Sequence, residues 1–168
     1  LLVDQGGEPQ SDLAEAAGLD TDDGIVVDER GRTSRPGVWA TGDVAEFPYL
    51  ALGQLMRVEG SDHAEQHGRL VGRNMAGGDE AYVHLPLKWF RLGDLTFEGV
   101  GELNSRMLTE TVWITPGRES VTLYVHDDVV RGVLMCNVPA RLEWAREWIR
   151  EARVTTSEER SQAVLAAR

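Results

Sequence analysis

The chain combines one stretch of helical period with a longer stretch of alternating period. Between residues 57 and 77, small and apolar side chains recur at helical spacing, at Ala64, Gly68, Val71 and Met75. This spacing predicts a helix that starts at an N-cap, Ser61, and stops at Gly77-Gly78. Further on the period approaches two, as in residues 121–126, which is typical of antiparallel strands with one buried face. We therefore predict an α+β fold with a boundary between residues 77 and 82.

Local signals predict the elements of the first half. Leu1-Leu2-Val3 has the composition of a strand that is already under way, and a short helix follows, capped by Ser11 or Asp12 and ended by Gly18. Residues 20–24 form an acidic loop without the ligand spacing of a calcium site. Residues 24–28 are interpreted as a hairpin arm, and residues 38–41 as a strand.

The second half is predicted as a β-meander followed by two helices. The strands are expected at residues 85–91, 96–101, 111–115, 121–126 and 129–135. Pro139 begins a helix whose apolar face includes Leu142, Ala145, Trp148 and Ile149. Thr156 and Glu159 have the spacing of a capping box for the last helix.

Composition narrows the classes of function. The 168 residues are 42% apolar and include 28 acidic against 17 basic side chains, for a net charge of -11. This charge argues against nucleic acid as a partner, and no apolar run reaches the roughly 20 residues of a membrane span. Cys136 is the single cysteine, so no intrachain disulfide can form, and we expect a cytoplasmic location. A buried core position suits Cys136 better than a nucleophilic role.

Several chemical motifs are incomplete. His63 and His67 stand one helical turn apart, but Glu65 is one place away from the zinc-protease position and no third ligand is evident. We therefore interpret both imidazoles as part of a partly solvated helix face, with metal binding as the weaker alternative. Gly99-Val100-Gly101 is not followed by the glycine that opens a dinucleotide-binding helix. His84 and His126 have no obvious partner and are interpreted as structural.

Three segments remain as candidates for cofactor chemistry. Thr41-Gly42-Asp43 follows an apolar run, so that Asp43 could accept hydrogen bonds from ligand hydroxyls, although a simple Gly-Asp turn is the alternative. Residues 57–64 open a helix, whose N–H groups and positive dipole end suit an electron-rich ligand group. Trp89 could stack on an aromatic ring, or it could be an ordinary core residue.

The order and spacing of these segments resemble a known family. The segments concerned are residues 24–28 with Thr41-Gly42-Asp43, then Arg57-Val58-Glu59 and Asp62-His63-Ala64, then Trp89 and residues 137–152. Together they are similar to the C-terminal portion of FAD-dependent pyridine nucleotide-disulfide oxidoreductases. The likeness is greatest to the group of apoptosis-inducing factor and the ferredoxin reductases. It implies the C-terminal part of a Rossmann-like FAD/NAD(P)-binding domain, followed by an antiparallel sheet with helices.

The resemblance also implies a cofactor and its contacts. FAD would be bound through Gly42, Asp43, Val44, Glu59, Gly60, Ser61 and Trp89, with Asp43 on the ribityl chain. Gly60 and Phe90-Arg91 replace the histidine and the Ser-Asp pair common in the group, so the preference for an electron acceptor does not carry over.

The implied division of the chain is threefold. Residues 1–20 would be the tail of an NAD(P)-binding domain, residues 21–79 the end of the FAD domain, and residues 80–168 a reductase-type C-terminal domain. The parent enzyme would pass electrons from NAD(P)H through FAD to a redox partner protein or a small acceptor, and this chain alone would be an inactive fragment. The alternative is a non-catalytic interaction or homodimer module.

Overall fold

The computed structural model describes residues 6–138 and 141–167. The chain divides into two units between His84 and Leu85, and the threefold division stays a prediction. The strand predicted at residues 1–3 and the helix start predicted at Pro139 lie outside the described residues. None of the helices in the described part combines the length and hydropathy that crossing a bilayer requires.

The first unit contains a three-stranded sheet and a long helix. Its elements are α1 (Asp12–Ala16), β1 (Ile25–Val26), a 3₁₀ turn (Gly42–Val44), β2 (Ala45–Tyr49), β3 (Gln54–Arg57) and α2 (Ser61–Met75). β1 pairs with β2 in parallel, and β2 pairs with β3 antiparallel. The helix α1 confirms the predicted first helix. Residues 24–28 are not a hairpin arm, because β1 pairs in parallel with β2.

The strand predicted at residues 38–41 is wrong. Trp39 makes only an isolated bridge to Arg32, and the chain turns at Gly42 before the strand β2 begins. Gly42 has φ +75°, a left-handed conformation that glycine adopts without strain and that ends an extended segment. Asp43 consequently lies in a turn before a strand, not at the end of one.

The helix α2 ends as predicted but buries a different face. Gly77, with φ +103°, follows its last turn, while its N-cap is Gly60 and Ser61 is its first residue. Met75, expected on the buried face, is 62% exposed. The buried face consists of His63, His67, Leu70, Val71 and Asn74, because this face of the helix covers the strand residue Phe47 and the later Tyr82.

The second unit is a five-stranded antiparallel sheet with two helices. The strands are β4 (Leu87–Leu92), β5 (Leu95–Gly101), β6 (Leu108–Thr115), β7 (Glu119–His126) and β8 (Val129–Cys136), and the helices are α3 (Leu142–Glu151) and α4 (Ser157–Ala166). All five predicted strands are present, and the α+β class is confirmed. The spatial order β4-β5-β8-β7-β6 is not a simple meander, because β5 pairs with β8.

The core of this unit lies between the sheet and α3. Val121 faces Met135 and Leu123 faces Val133 across β7 and β8, and all four side chains are almost fully buried. The helix α3 packs on β5 and β8 through Ala145, Trp148 and Ile149, as the apolar pattern predicts. Cys136 is buried at the end of β8, and burial raises the pKa of its thiol, so the core interpretation is confirmed.

The last helix is fixed to the sheet by an ion pair. Nε and Nη2 of Arg160 each lie 2.7 Å from an oxygen of the Glu110 carboxylate on β6, and the Arg160 side chain is only 2% exposed. The predicted capping box is present, since Glu159 N–H donates to Thr156 Oγ1 and Thr156 N–H donates to the Glu159 carboxylate. The helix is thus held at its start and along its buried side.

The strand β4 is an edge of the sheet and is exposed along most of its length. Lys88, the only lysine in the chain, is exposed on it. Beside it, Trp89 is 63% exposed and Phe90 is 52% exposed. Trp89 is therefore not the ordinary core residue that was its alternative interpretation.

Candidate cofactor site

The candidate site begins with the tight turn at Gly42–Val44. Thr41 is extended, and Gly42 is buried against the start of α2. A Cβ on Gly42 would lie 3.7 Å from Cβ of Ala64, so the turn and the helix are in direct contact. This packing leaves Asp43, the next residue, exposed to solvent.

Asp43 meets the N-terminal end of α2. Its Oδ1 accepts a hydrogen bond of 3.2 Å from the backbone N–H of Gly60. Gly60 is the N-cap residue, with φ 140° and ψ 150°, and as a glycine it offers no capping side chain. The structure thus brings the predicted residues Gly42, Asp43 and Val44 close to Glu59, Gly60 and Ser61.

Arg57 joins the segments that surround this turn. Its guanidinium donates to the Asp43 carbonyl at 3.2 Å, to Glu59 Oε1 at 2.8 Å, to Asp23 Oδ1 at 3.2 Å and to the Gly7 carbonyl at 2.9 Å. The side chain is only 12% exposed. Arg57 belongs to a motif of the sequence but had no predicted role, and its place two residues before Glu59 is the only sequence signal for one.

A cleft of about 440 Å³ opens beside these groups. Glu59 stands on its wall, and Glu59 Oε1 accepts the N–H of Gly7 at 3.0 Å. The lining residues are Gly7, Glu8, Pro9, Gln10, Asp43, Val44, Arg57 and Glu59. Asp43 and Glu59 therefore line one opening together with Arg57, whose guanidinium contacts the Asp43 carbonyl and the Glu59 carboxylate.

Two imidazoles lie buried beneath the first turns of α2, contrary to the predicted solvated face. His63 and His67 are fully buried, and Phe47 stacks on His63 with ring centroids 4.8 Å apart. Burial lowers the pKa of His63, and burial together with His63 lowers the pKa of His67 to about 4. Both ring nitrogens of His67 lack a hydrogen-bond partner among the described residues. Both rings are consequently neutral near pH 7.

The two other histidines, interpreted as structural and without an obvious partner in the sequence, each have an acidic neighbour. His84 Nε2 lies 2.7 Å from Oδ2 of Asp62, in the first turn of α2. His126 Nε2 lies 3.6 Å from Asp127 Oδ2. The first contact ties the end of the first unit to the helix that borders the site.

A buried carboxyl group that the sequence analysis missed lies on β2. Glu46 is 6% exposed, and one of its oxygens, Oε2, has no partner within the described ranges. Burial raises its pKa, and the nearby Asp22 adds to the shift. The only indication of this burial in the sequence is the position of Glu46 between two apolar residues, Ala45 and Phe47.

The described residues contain no group of three or more histidine, cysteine, aspartate or glutamate side chains that could hold a metal ion. Trp89 lies on β4 of the second unit, and its assignment to the cofactor site stays a prediction.

Comparison with known proteins identifies relatives over most of the chain. Residues 1–68 match the family described as "Pyridine nucleotide-disulphide oxidoreductase". The chain is 33% identical over 124 residues to the ferredoxin--NAD(+) reductase component of the anthranilate 1,2-dioxygenase system of Burkholderia cepacia, covering 74% of this chain and 30% of the relative. It is 31% identical over 171 residues to mitochondrial apoptosis-inducing factor 1 of Dictyostelium discoideum, covering 91% of this chain and 31% of the relative.

A solved structure matches over nearly the same extent. The ferredoxin reductase for the CYP199A2 system of Rhodopseudomonas palustris has a TM-score of 0.82 and 27% identity, covering 98% of this chain and 42% of that one. The chain thus spans about a third of the length of the curated relatives that it matches. By its family match and its relatives, the chain belongs to the pyridine nucleotide-disulphide oxidoreductase family.

Proposed function

We propose that the chain supplies the ribityl-binding and ring-binding part of an FAD site in an NAD(P)H-dependent oxidoreductase. The observation that carries this proposal is the 3₁₀ turn that presents Asp43 at the start of α2, where the N-cap residue is a glycine. The curated relatives are about three times as long as the stretch that matches this chain. In the proposal, the remaining parts of the FAD and NAD(P)H sites come from outside this stretch.

The residues present fit such a cofactor. Asp43 uses Oδ1 for Gly60. Its Oδ2 has no hydrogen bond among the described residues and can accept one from a ligand hydroxyl, such as those of a ribityl chain. The start of α2 carries partial positive charge, which suits an electron-rich carbonyl group. A glycine at the N-cap lets a ligand approach the backbone closely.

When bound, FAD supplies the redox chemistry, taking a hydride from NAD(P)H and releasing electrons to an acceptor. The chain's own residues position and enclose it. Asp43 would hold the hydroxyls, and Glu59 to Ser61 would border the ring through the start of α2. Arg57 keeps the turn in place through its bond to the Asp43 carbonyl. The buried, neutral His63 and His67 place no charge behind the site.

The acceptor in this proposal is a small redox protein. Relatives are named as ferredoxin reductase components of dioxygenase systems and as a rubredoxin reductase. By this analogy the chain would act with an iron-sulfur or iron protein of that kind. Taken alone, the chain is expected to bind FAD weakly and to transfer no electrons.

The test is substitution of Asp43 in a full-length flavoprotein that contains this sequence. We expect Asp43→Ala to lower FAD occupancy at least tenfold, measured from the flavin absorbance of the purified protein. Asp43→Asn keeps an oxygen for Gly60 and should lose less. Asp94→Asn, a matched removal of one exposed charge in the turn between β4 and β5, should leave occupancy unchanged.

Retention of flavin and NAD(P)H oxidation by Asp43→Ala would contradict the proposal. That result would favour a non-catalytic interaction or homodimer module, in which Asp43 serves only to bind Gly60. A second check uses the chain alone. Tight, stoichiometric binding of FAD to it would show that no other segment is needed for the site.

A further inference from the structure

A groove in the second unit has no part in the proposed FAD site. It has a volume of about 410 Å³ and runs between α3 and residues 153–163. Trp144, Glu147, Trp148 and Glu151 stand on the α3 side, and Val154 and Glu159 stand opposite them. The four α3 residues have the spacing i, i+3, i+4 and i+7, so they share one face of the helix.

Two indole rings form the apolar part of this wall. The ring centroids of Trp144 and Trp148 lie 5.0 Å apart, with the planes inclined at 57°. Trp148 is 6% exposed and is anchored in the core, whereas Trp144 is half-buried at the groove. A rigid, partly exposed pair of indoles is a surface to which cations are attracted through the ring quadrupoles.

The groove is also negatively charged. Glu151 is paired with Arg153 at 3.0 Å, and the Thr156 N–H and hydroxyl, which bond to Glu159, lower the pKa of that carboxyl. Glu147 is exposed and has no ion pair among the residues that the structure describes. Three carboxylates and one guanidinium therefore line the groove. Glu151 has an ion pair and Glu159 is hydrogen-bonded within the capping box, whereas Glu147 has neither among the described residues.

We propose that this groove binds an organic cation, with a quaternary ammonium or guanidinium head held by Trp144 and Trp148 and paired with Glu147. Indole rings supply no ligand atom for a metal ion, and the carboxylates would repel an anion. Arg153 already places a guanidinium at one end of the groove, against Glu151. The volume exceeds that of a cationic head alone, which leaves room for a short attached chain.

The test uses choline chloride and its neutral isostere 3,3-dimethylbutan-1-ol, with sodium chloride to match the ionic strength. Binding is followed in the full chain by the NMR shifts of the indole Nε1–H protons. We expect saturable shifts of two indole signals with choline, with a dissociation constant in the range of about 1–10 mM, as befits one cation on a solvent-exposed site. The neutral isostere should bind at least fivefold more weakly.

Two variants separate the charge from the rings. Glu147→Gln should weaken choline binding about fivefold, while Glu158→Gln, an exposed glutamate outside the groove, should leave it unchanged. Trp144→Leu should abolish the saturable shifts, with far-UV circular dichroism as the check on folding. Because Glu147 is exposed, Glu147→Gln is expected to fold and tests the proposal even if the Trp144 variant does not fold.

Three results would overturn the proposal. These are equal binding of choline and its neutral isostere, no effect of Glu147→Gln, and shifts that stay linear to about 50 mM choline, a concentration at which a site of the proposed strength is occupied. If choline binds saturably, a guanidinium probe, L-arginine methyl ester, distinguishes the two head groups. Preference for it over choline assigns the site to guanidinium compounds.

Discussion

At the scale of single residues, the burial of His67 makes the first unit sensitive to mild acid. Its pKa is about 4 in the folded chain against about 6.5 when exposed. Between these values the unfolded chain binds more protons, so stability falls as the pH falls. We expect the free energy of unfolding to decrease by about 2 kcal/mol from pH 7.5 to 5.0 on account of this residue.

The measurement is urea unfolding at both pH values. His67→Leu should remove most of this decrease, because it removes the titrating group. His126→Gln, which changes a histidine on the exposed end of β7, should retain it. An unchanged pH dependence in His67→Leu would show that another group, such as His63, whose pKa burial also lowers, accounts for it.

The sequence supported Asp43 as a candidate residue but not the contacts that Arg57 makes around it. Glycine before aspartate is a local signal, and the structure does place Gly42 in a left-handed turn. Apart from the bond to Glu59, the contacts of Arg57 join residues that are 14 to 50 positions apart in the chain, and no local pattern encodes them. The prediction of a partly solvated face for His63 and His67 is wrong for a similar reason, since Phe47 and Tyr82, which cover these rings, come from elsewhere in the chain.

At the scale of elements, the attachment of α4 to β6 depends on one buried arginine. Arg160→Met would leave the Glu110 carboxylate without its bidentate partner, and the loss of one partner from a buried pair costs on the order of 3 kcal/mol. We expect a loss of that order in the unfolding free energy of the second unit, measured by urea denaturation. The same loss should raise the pKa of Glu110, which Arg160 holds below its usual range.

Arg69→Met is the matched control, since Arg69 forms an exposed pair with Glu65 on α2 and such pairs contribute at most about 1 kcal/mol. The double variant Arg160→Met with Glu110→Leu should recover part of the lost stability. Equal losses for Arg160→Met and Arg69→Met would mean that the Arg160 pair contributes no more than a surface pair.

The elements themselves were predictable where local pattern and tertiary packing agree. The alternation in residues 121–125 reflects a real buried face, and the capping box at Thr156 is a contact within four residues. The order of the strands was not predictable, because the pairing of β5 with β8 joins residues more than 30 positions apart. The strand predicted at residues 38–41 does not form, because β-prone side chains need a partner strand and this segment makes only one isolated bridge, to Arg32.

At the scale of the whole molecule, the division after His84 has a measurable consequence. The second unit has its own sheet, its own helices and a core between them, which are the conditions for independent folding. We expect residues 85–168, expressed alone, to unfold cooperatively on heating, with near-UV circular dichroism from packed tryptophans. A piece that ends at residue 151 lacks α4 and should be less stable.

A non-cooperative transition in residues 85–168 would contradict this prediction. It would show that the second unit needs the first for its core. The sequence placed a boundary between residues 77 and 82, from Gly77-Gly78 and the change of period. It could not indicate that residues 82 and 84 belong with α2, since their contacts to His63 and Asp62 form only in the folded chain.

Lys88 can be labelled selectively, because it lies exposed on the edge strand β4. As the only lysine, it gives the chain a single side-chain amine, and its neighbours Trp89 and Phe90 are exposed. An amine-reactive fluorophore or photo-crosslinker would therefore attach to the side chains at one position. Covalent capture from that position would map, residue by residue, any protein that docks on this edge of the sheet.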